Sequence, residues 1–556
     1  MFLFVPLVSW SQNLENIGTG RAVNVQSGLQ LQTELYGVSG IDPRSNPFTY
    51  SLAGSVLFDL YGVQMPFHVV WSNHHRNFRQ PFNQFGISPT YKWATLHLGY
   101  NFMRFSPFTL ADHRFLGAGV ELHPGKLRFA AMAGRFRKAI EEDAAVSDKP
   151  GDYLYALPQP AYRRTGYGFK LGYGTERNYF DLIFLKGKDH PGSIAAPQSV
   201  FLQPAENAVA GFSWQFTFLK KLSWKTDLAA SAYTRDVFSD TLDTGEYPLK
   251  NFLENILAPK EGTQLLSAAE TSLAFQDTRF GMRLTYRRVD PDFRTFGIYY
   301  LQTDVEQYLL APDFSLAKNK VLLSGSVGIQ KNNLLDQHRF TTRRFIGSAN
   351  LSVNPSPAYG FTASYANYGI TQSPLTKSLT DTTQLEQISQ SLSFMPRLVL
   401  SGNRMSHTFF VMLNYNALSD RSTTIVYDAE MKNWLTSMTY QATWPRQGLS
   451  ATLTLLRQHT RTSAGELSTI GITAGLSKTF LKGKWSNSAN VSLMKNQFAE
   501  SADGFTLTAF AQTRYRLSKH HALFLSFHFL KNDSDNPLSG KKFTETRARA
   551  GYGFSF

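Results

Sequence analysis

From about residue 21 to the end of the chain, apolar side chains recur at every second position, and this period of two constrains the fold more than any other feature. In "VNVQSGLQLQTELYGV" the apolar set is Val23, Val25, Leu29, Leu31 and Leu35. In "PFTYSLAGSVLFDLYG" it is Phe48, Tyr50, Leu52, Val56, Phe58 and Leu60, and in "GFTLTAFAQTRYRLS" it includes Phe505, Leu507 and Tyr515. Successive side chains of an extended strand point to opposite faces, so such runs read as strands with one apolar and one polar face. One stretch has helical spacing instead: "PLKNFLENIL" places Leu249, Phe252, Leu253, Ile256 and Leu257 on a single face. No shift in composition and no Pro- or Gly/Ser-rich linker divides the chain, so residues 21–556 read as one domain.

The connections between strands are sorted by length. Short turns fall near Tyr61-Gly62, Pro124-Gly125, Gly174-Thr175, Lys220-Lys221, Asn354-Pro355, Arg446-Gln447, Lys482-Gly483 and Lys519-His520. Longer polar loops lie between them, around 75–82, 139–162, 189–206, 236–263, 287–303, 331–340, 371–385, 417–432, 458–466 and 532–541. Counting "FNQFGISPTY" and "TDVEQYLLAP" as strands restores a strict alternation and gives about 26 strands, within the range of closed transmembrane barrels. A barrel in a membrane needs tight turns on one side and tolerates long loops on the other, whereas a soluble sandwich has no reason to sort its loops. No apolar run approaches the ~20 residues of a membrane helix. The fold class expected is therefore all-β: a transmembrane, antiparallel, up-and-down barrel.

The last strand, "RARAGYGFSF", alternates and ends on Phe556. It resembles the C-terminal assembly signal of bacterial outer-membrane β-barrel proteins, an alternating aromatic strand ending in Phe. That resemblance implies that Tyr552, Phe554 and Phe556 face lipid, that the barrel-assembly machinery reads them, and that the chain resides in the outer membrane of a Gram-negative envelope. The high aromatic content, with 44 Phe and 25 Tyr, and the long outer loops are also similar to barrels of Bacteroidetes-type bacteria. The opening "MFLFVPLVSWSQ" has the apolar length of a signal-peptide core with a small-x-small site at Ser9–Ser11, so residues 1–11 read as a signal-peptide remnant and 12–20 as a short N-terminal segment.

If apolar residues face lipid, the alternate positions face the lumen. Basic lumen-lining candidates are then Arg128, Lys170, Lys225, Arg235, Arg279, Arg283, Arg287, Arg344, Arg514, Arg547 and Arg549. An Arg or Lys on the lipid face costs about 2–4 kcal/mol at mid-depth, so the net charge of +15 belongs inside or at the rims, where it either attracts anions or pairs with acidic loop residues. A barrel of this size would leak if its lumen were empty. The candidates to fill it are loops 236–263, with the constriction helix at 248–257, and 139–162, or a partner protein.

Chemistry-bearing constellations are weak. The absence of cysteine removes thiolate sites and disulfides. His74 and His75 are adjacent and point to opposite faces of a strand. Asp533 and Asp535 have calcium-loop spacing without the Gly and Glu of that motif. No nucleophile elbow, P-loop or dinucleotide fingerprint is present, and basic residues scattered through strands disfavour nucleic-acid binding. No cofactor, metal site or enzymatic activity is expected. Two functions lead: a porin-like channel with a basic, loop-restricted lumen passing anionic or polar solutes, or a scaffold subunit of an envelope complex for secretion, assembly or surface display, its lumen closed by loops or partner proteins; an outer-membrane enzyme with its residues gathered from several strands ranks last.

Overall fold

The computed structural model describes residues 23–60, 63–73, 84–142, 160–195, 197, 202–242, 258–374, 385–420, 430–463, 465–499, 501–533 and 542–556. The helix expected at 248–257, the segment before residue 23, and His74 and His75 lie outside them.

Strands follow one another in chain order. The first arc comprises β1 (Val23–Ser39), β2 (Phe48–Leu60), β3 (Val63–Ser72), β4 (Gln84–Ile87), β5 (Thr90–Tyr91), β6 (Ala94–Phe102), β7 (Arg114–Leu122), β8 (Leu127–Arg137) and β9 (Arg164–Gly174). Next come β10 (Tyr179–Asp189), β11 (Glu206–Phe218), β12 (Leu222–Thr234), β13 (Thr263–Gln276), β14 (Phe280–Val289), β15 (Val305–Leu316), β16 (Val321–Lys331) and β17 (Phe340–Val353). The wall finishes with β18 (Tyr359–Pro374), β19 (Leu385–Ser401), β20 (Ser406–Asp420), β21 (Met431–Trp444), β22 (Leu449–Thr462), β23 (Gly465–Phe480), β24 (Trp485–Phe498), β25 (Ser501–Arg516), β26 (His521–Asp533) and β27 (Phe543–Ser555).

Every neighbouring pair is antiparallel, and β1 pairs with β27 from Gly28↔Ser555 to Ser39↔Thr544, which closes the sheet. Reciprocal bonds between Ser27 and Phe556, both at 3.0 Å, extend that seam by one rung. The strands β4 and β5 lie end to end between β3 and β6, broken at Ser88-Pro89 because proline has no N–H for the ladder. They count as one span, so the barrel has 26 staves. This is the fold of outer-membrane β-barrel proteins.

The apolar rows read from the sequence lie on one face all the way round. Leu31, Phe85, Leu182, Leu284, Ile329, Leu453 and Leu525 are exposed on it, as expected of a surface whose solvent is lipid. Aromatic rings gather toward the short-turn end: Trp214 stacks edge-on with Trp224 at 5.2 Å, and Phe480 lies 5.2 Å from Trp485. These belong to the girdle that anchors such a barrel at an interface. Strands from β17 to β25 run to between 14 and 17 residues, beyond the ~9–11 a tilted span requires, so they project past the apolar belt. That projection corrects one loop assignment. Residues 458–466 were expected to be a loop, yet β22 continues to Thr462 and β23 begins at Gly465, with Thr460↔Leu467 paired across a tight turn. Polar residues in a strand that has left the membrane look like a loop in sequence.

Candidate functional site

Two connections on the long-loop side turn back into the barrel. Residues 103–113, between β6 and β7, and residues 290–304, between β14 and β15, meet in a parallel bridge at Leu110↔Gly297. The Ala111 N–H donates to the Gly297 carbonyl at 3.0 Å, and the Thr295 hydroxyl donates to the Thr109 carbonyl at 2.6 Å. Phe108 and Phe293 meet edge to face at 6.4 Å. Together these segments form a plug.

The plug touches side chains on strands from β7 to β14, on the face opposite the exposed apolar rows, which places it on the concave side. Phe105, Phe108, Leu110, Phe293 and Phe296 bury themselves against Phe115, Phe136, Ile183, Leu185, Val209 and Val289 of the wall. A lumen otherwise lined by polar groups thus contains a dry core. Glycines of the wall make its sockets: a Cβ at Gly211 would lie 2.8 Å from Thr109 Cγ2, one at Gly187 would lie 2.9 Å from Phe296 Cδ2, and one at Gly119 would run into the Met103 sulfur. Glycine inside a strand marks a place where something approaches closely, and here it is the plug.

Polar anchors satisfy the plug backbone. Asn207, on β11, is 1 % exposed; its Nδ2 donates to Ser231 Oγ at 2.9 Å and to the Arg294 carbonyl at 3.2 Å. Its Oδ1 accepts the Phe296 N–H at 3.1 Å, and Ser231 Oγ donates to the Arg294 carbonyl at 2.6 Å. A buried backbone without such partners would lose stability at each unpaired group, so Asn207 and Ser231 fix where residues 294–296 can sit. Asp189 takes two guanidiniums: Arg164 donates to both of its oxygens at 2.8 Å, and Arg137 to one at 3.0 Å. The same Arg164 lies 3.4 Å over the Phe296 ring, tying the ion cluster to the plug by a cation–π contact. His113, in the loop just before β7, stacks on Tyr299 at 4.1 Å. Burial, and then the Arg164 charge, hold its imidazole down to about 4, so it is neutral at physiological pH.

The basic residues expected in the lumen divide into two sets. Arg128 makes a bidentate pair with Asp181 at 2.8 and 2.9 Å, reaching across Gly172 on the intervening strand, where a Cβ would collide with the carboxylate. Lys225 pairs with Asp227 at 3.1 Å and Arg287 with Glu270 at 3.5 Å. Arg549 bonds Glu34, and Arg547 pairs with Glu545 at 2.9 Å. Lys170 stands 5.9 Å over the Phe105 ring of the plug. By register Arg283, Arg344 and Arg514 share the luminal face with these, and they make no ion pair with the described residues. Arg279 sits in the turn before β14 and Arg235 just beyond β12. At the seam, alternation puts Tyr552 and Phe554 on the lipid side, with Phe556 58 % exposed beyond the last rung.

Away from the plug the luminal wall changes character. From β17 to β25 the inward positions are chiefly hydroxyls and amides, such as Ser348, Asn350, Thr454, Thr473, Ser488 and Gln512. Hydroxyls pair across strands here, as in Thr439–Thr454 at 2.9 Å and Thr473–Ser492 at 2.9 Å. Near the short-turn mouth, Phe524 lays its ring over Gly551 beside Gln32, Gln512, Arg514 and Arg549, in a hollow of about 640 Å³.

Of loops 139–162 and 236–263, the described ends form small ladders, Ile140↔Ala161 and Thr241↔Lys260. Sequence reasoning passed over 103–113 altogether and took 287–303 for an outer polar loop. The signals were present: Phe105, Phe108 and Leu110 are too apolar for an outer loop, and Gly187 and Gly211 interrupt strands.

No protein-family model and no curated protein matches the chain. Among solved structures, it is similar to the FrpB iron transporter of Neisseria meningitidis, with 11 % identity over 96 % of this chain and 81 % of that one at a TM-score of 0.40. It is similar also to OccAB2 of Acinetobacter baumannii, with 9 % identity over 64 % of this chain and 92 % of that one at 0.31. OccK2 (OpdF) of Pseudomonas aeruginosa, solved in complex with glucuronate, shares 9 % identity over 96 % and 98 % of the two chains at 0.30. Likeness at this level reaches no further than the barrel fold.

Proposed function

We propose that the chain is an outer-membrane channel for polar solutes, with a bias toward anions. The observation that carries this reading is the asymmetry of the lumen. Loops 103–113 and 290–304 close one side with a dry core, and the opposite wall offers a surface chiefly of hydroxyls and amides. Such a surface exchanges hydrogen bonds with a passing solute as readily as water does, so nothing along it holds the solute tightly. The ion pairs neutralise most of the inward charge next to the plug, and Arg283, Arg344 and Arg514 leave a positive excess along the path, which raises the local anion concentration. A wall of this circumference is about 50 Å across, so among the described residues the two plug loops narrow the opening without spanning it.

The experiment is electrical. Purified protein in a planar bilayer is expected to give stable steps whose reversal potential in a salt gradient favours anions. Exchanging Arg283, Arg344 and Arg514 together for Gln is expected to abolish the preference and keep the conductance. A silent, correctly folded barrel would refute the reading.

A further inference from the structure

The two ends of the barrel differ in charge. Eleven short turns join strands among the described residues, and ten of them carry Lys or Arg; the exception is 354–358. Together they hold thirteen exposed cations against two acids, Glu176 and Asp277. Lys221 pairs with Asp277 at 3.0 Å, and among the described residues no other turn cation makes an ion pair. On the described long-loop connections Asp and Glu outnumber Lys and Arg. The short-turn rim therefore carries most of the net charge of +15.

These cations stand at the depth of lipid headgroups. Phe218, Phe280, Trp444, Phe480 and Trp485 belong to outward rows, and each lies one or two residues from a Lys or Arg of a turn. Aromatics in such a belt mark the membrane interface, and a strand residue rises about 3.3 Å, so the charges lie within about 7 Å of the girdle. Their ammonium groups lean toward lipid. Lys92 Nζ is 5.2 Å from the Tyr91 ring and Lys126 Nζ 5.9 Å from the Tyr173 ring, and both rings are exposed on the outer face. Lys478 does the same from within a strand. It shares the outward row of Leu476 and Phe480, its ammonium stands 5.7 Å from the Phe480 ring, and it donates to the Gln447 carbonyl at 2.7 Å. A lysine is tolerated on the lipid face where its stem lets the charge reach the headgroup layer.

We propose that the short-turn rim gathers an annulus of anionic phospholipid from the leaflet around it. Three observations favour a lipid surface over an acidic protein. The charges follow the circumference and do not collect in one patch. They sit at the depth of the girdle. The ammonium groups of Lys92, Lys126 and Lys478 lie against lipid-facing rings and not over the mouth of the lumen. A zwitterionic lipid carries its own cation beside the phosphate, so a rim with so few acids selects lipids with a net negative charge. The proposal concerns the outside of the rim and does not depend on what crosses the lumen.

The test is quenching of tryptophan fluorescence by brominated lipids in reconstituted bilayers. Trp93, Trp214, Trp224, Trp444 and Trp485 lie toward the short-turn end, so the signal comes from the right leaflet. Brominated phosphatidylglycerol is expected to associate about threefold more strongly than brominated phosphatidylcholine at low salt, and the preference is expected to vanish at high salt. The variant Lys126→Gln/Arg177→Gln/Lys320→Gln/Arg446→Gln/Lys484→Gln/Lys519→Gln is expected to bring the low-salt preference under about twofold. None of the six positions has a positive φ or an ion pair among the described residues, so the turns keep their shape, and heat-modifiable gel migration verifies folding. Should the variant not fold, the salt series on the wild type decides alone. Equal association of the two lipids at low salt, or a preference that neither salt nor the variant changes, would overturn the proposal. A wild type that ignores lipid charge and binds polyglutamate would also overturn it, in favour of an acidic protein on the rim.

Discussion

Replacing Gly297 by alanine adds one methyl group at the point where the two plug segments join. The glycine has an ordinary backbone conformation, so the effect is steric and not conformational. Its new Cβ would press into the Thr109 carbonyl oxygen, lie 2.7 Å from Leu185 Cδ2 and 2.9 Å from Leu110 Cα. Two of these obstacles are backbone, and the third is 1 % exposed in a packed cluster, so none can turn aside. Relief must come from separating 290–304 from 103–113, which breaks the Ala111–Gly297 bond. Overpacking of this kind costs about 1–3 kcal/mol, which moves the docked-to-released balance of the plug by roughly 5- to 150-fold. The wall keeps its own ladder, so heat-modifiable migration is expected to stay as in the wild type. Single-channel recording is expected to show larger or flickering steps. Gly192→Ala, where a Cβ would meet nothing within 4 Å, is the control. Unchanged conductance in Gly297→Ala, with the variant folded, would refute the claim that this contact holds the plug in place.

Phe108→Ala empties a fully buried site and is expected to cost the plug about 3–5 kcal/mol, read as a larger conductance change than Gly297→Ala gives. His113 is kept neutral, so its contribution is complete above its unfolded pKa of 6.5 and is lost as pH falls toward about 4. The loss comes to about 3 kcal/mol if the plug opens fully, and conductance is expected to rise across that window in the wild type and not in His113→Phe. Asp189→Ala strands Arg137 and Arg164 beneath the plug and is expected to destabilise that region by about 3–5 kcal/mol, measured as a lower melting temperature in detergent. Leu453→Arg, on the outer face, is expected to cut outer-membrane assembly, at about 2–4 kcal/mol if it lies at mid-depth; its neighbour Thr454→Arg, on the luminal face, is expected to assemble normally.

The wall was legible because its physics is periodic. Each strand must turn one face to lipid and one to the lumen, so Phe280, Met282, Leu284 and Tyr286 announce themselves at a spacing of two. The plug was not, because its partners are distant: Thr109 meets Gly211, and Phe296 meets Gly187, and no local pattern ties those positions together. The charge balance of the lumen was hidden for the same reason. Arg128 finds Asp181 two strands away, over a glycine that clears the space, so counting basic residues by parity overstates the free charge. Loop 458–466 was misread because the cue for a strand was apolar alternation, and a strand extending into water no longer carries it.

Among the described residues the plug is fastened to one arc. From β7 to β14 the inner surface is braced by a packed layer, while among the described residues no loop lies behind the ladder from β17 to β25. A cylinder stiffened along part of its circumference deforms along the remainder, so the unbraced arc sets how far the cross-section can ovalise. Any squeezing of the barrel by the surrounding membrane would then narrow the aperture from the hydroxyl-lined side, with the aromatic side acting as the fixed jaw.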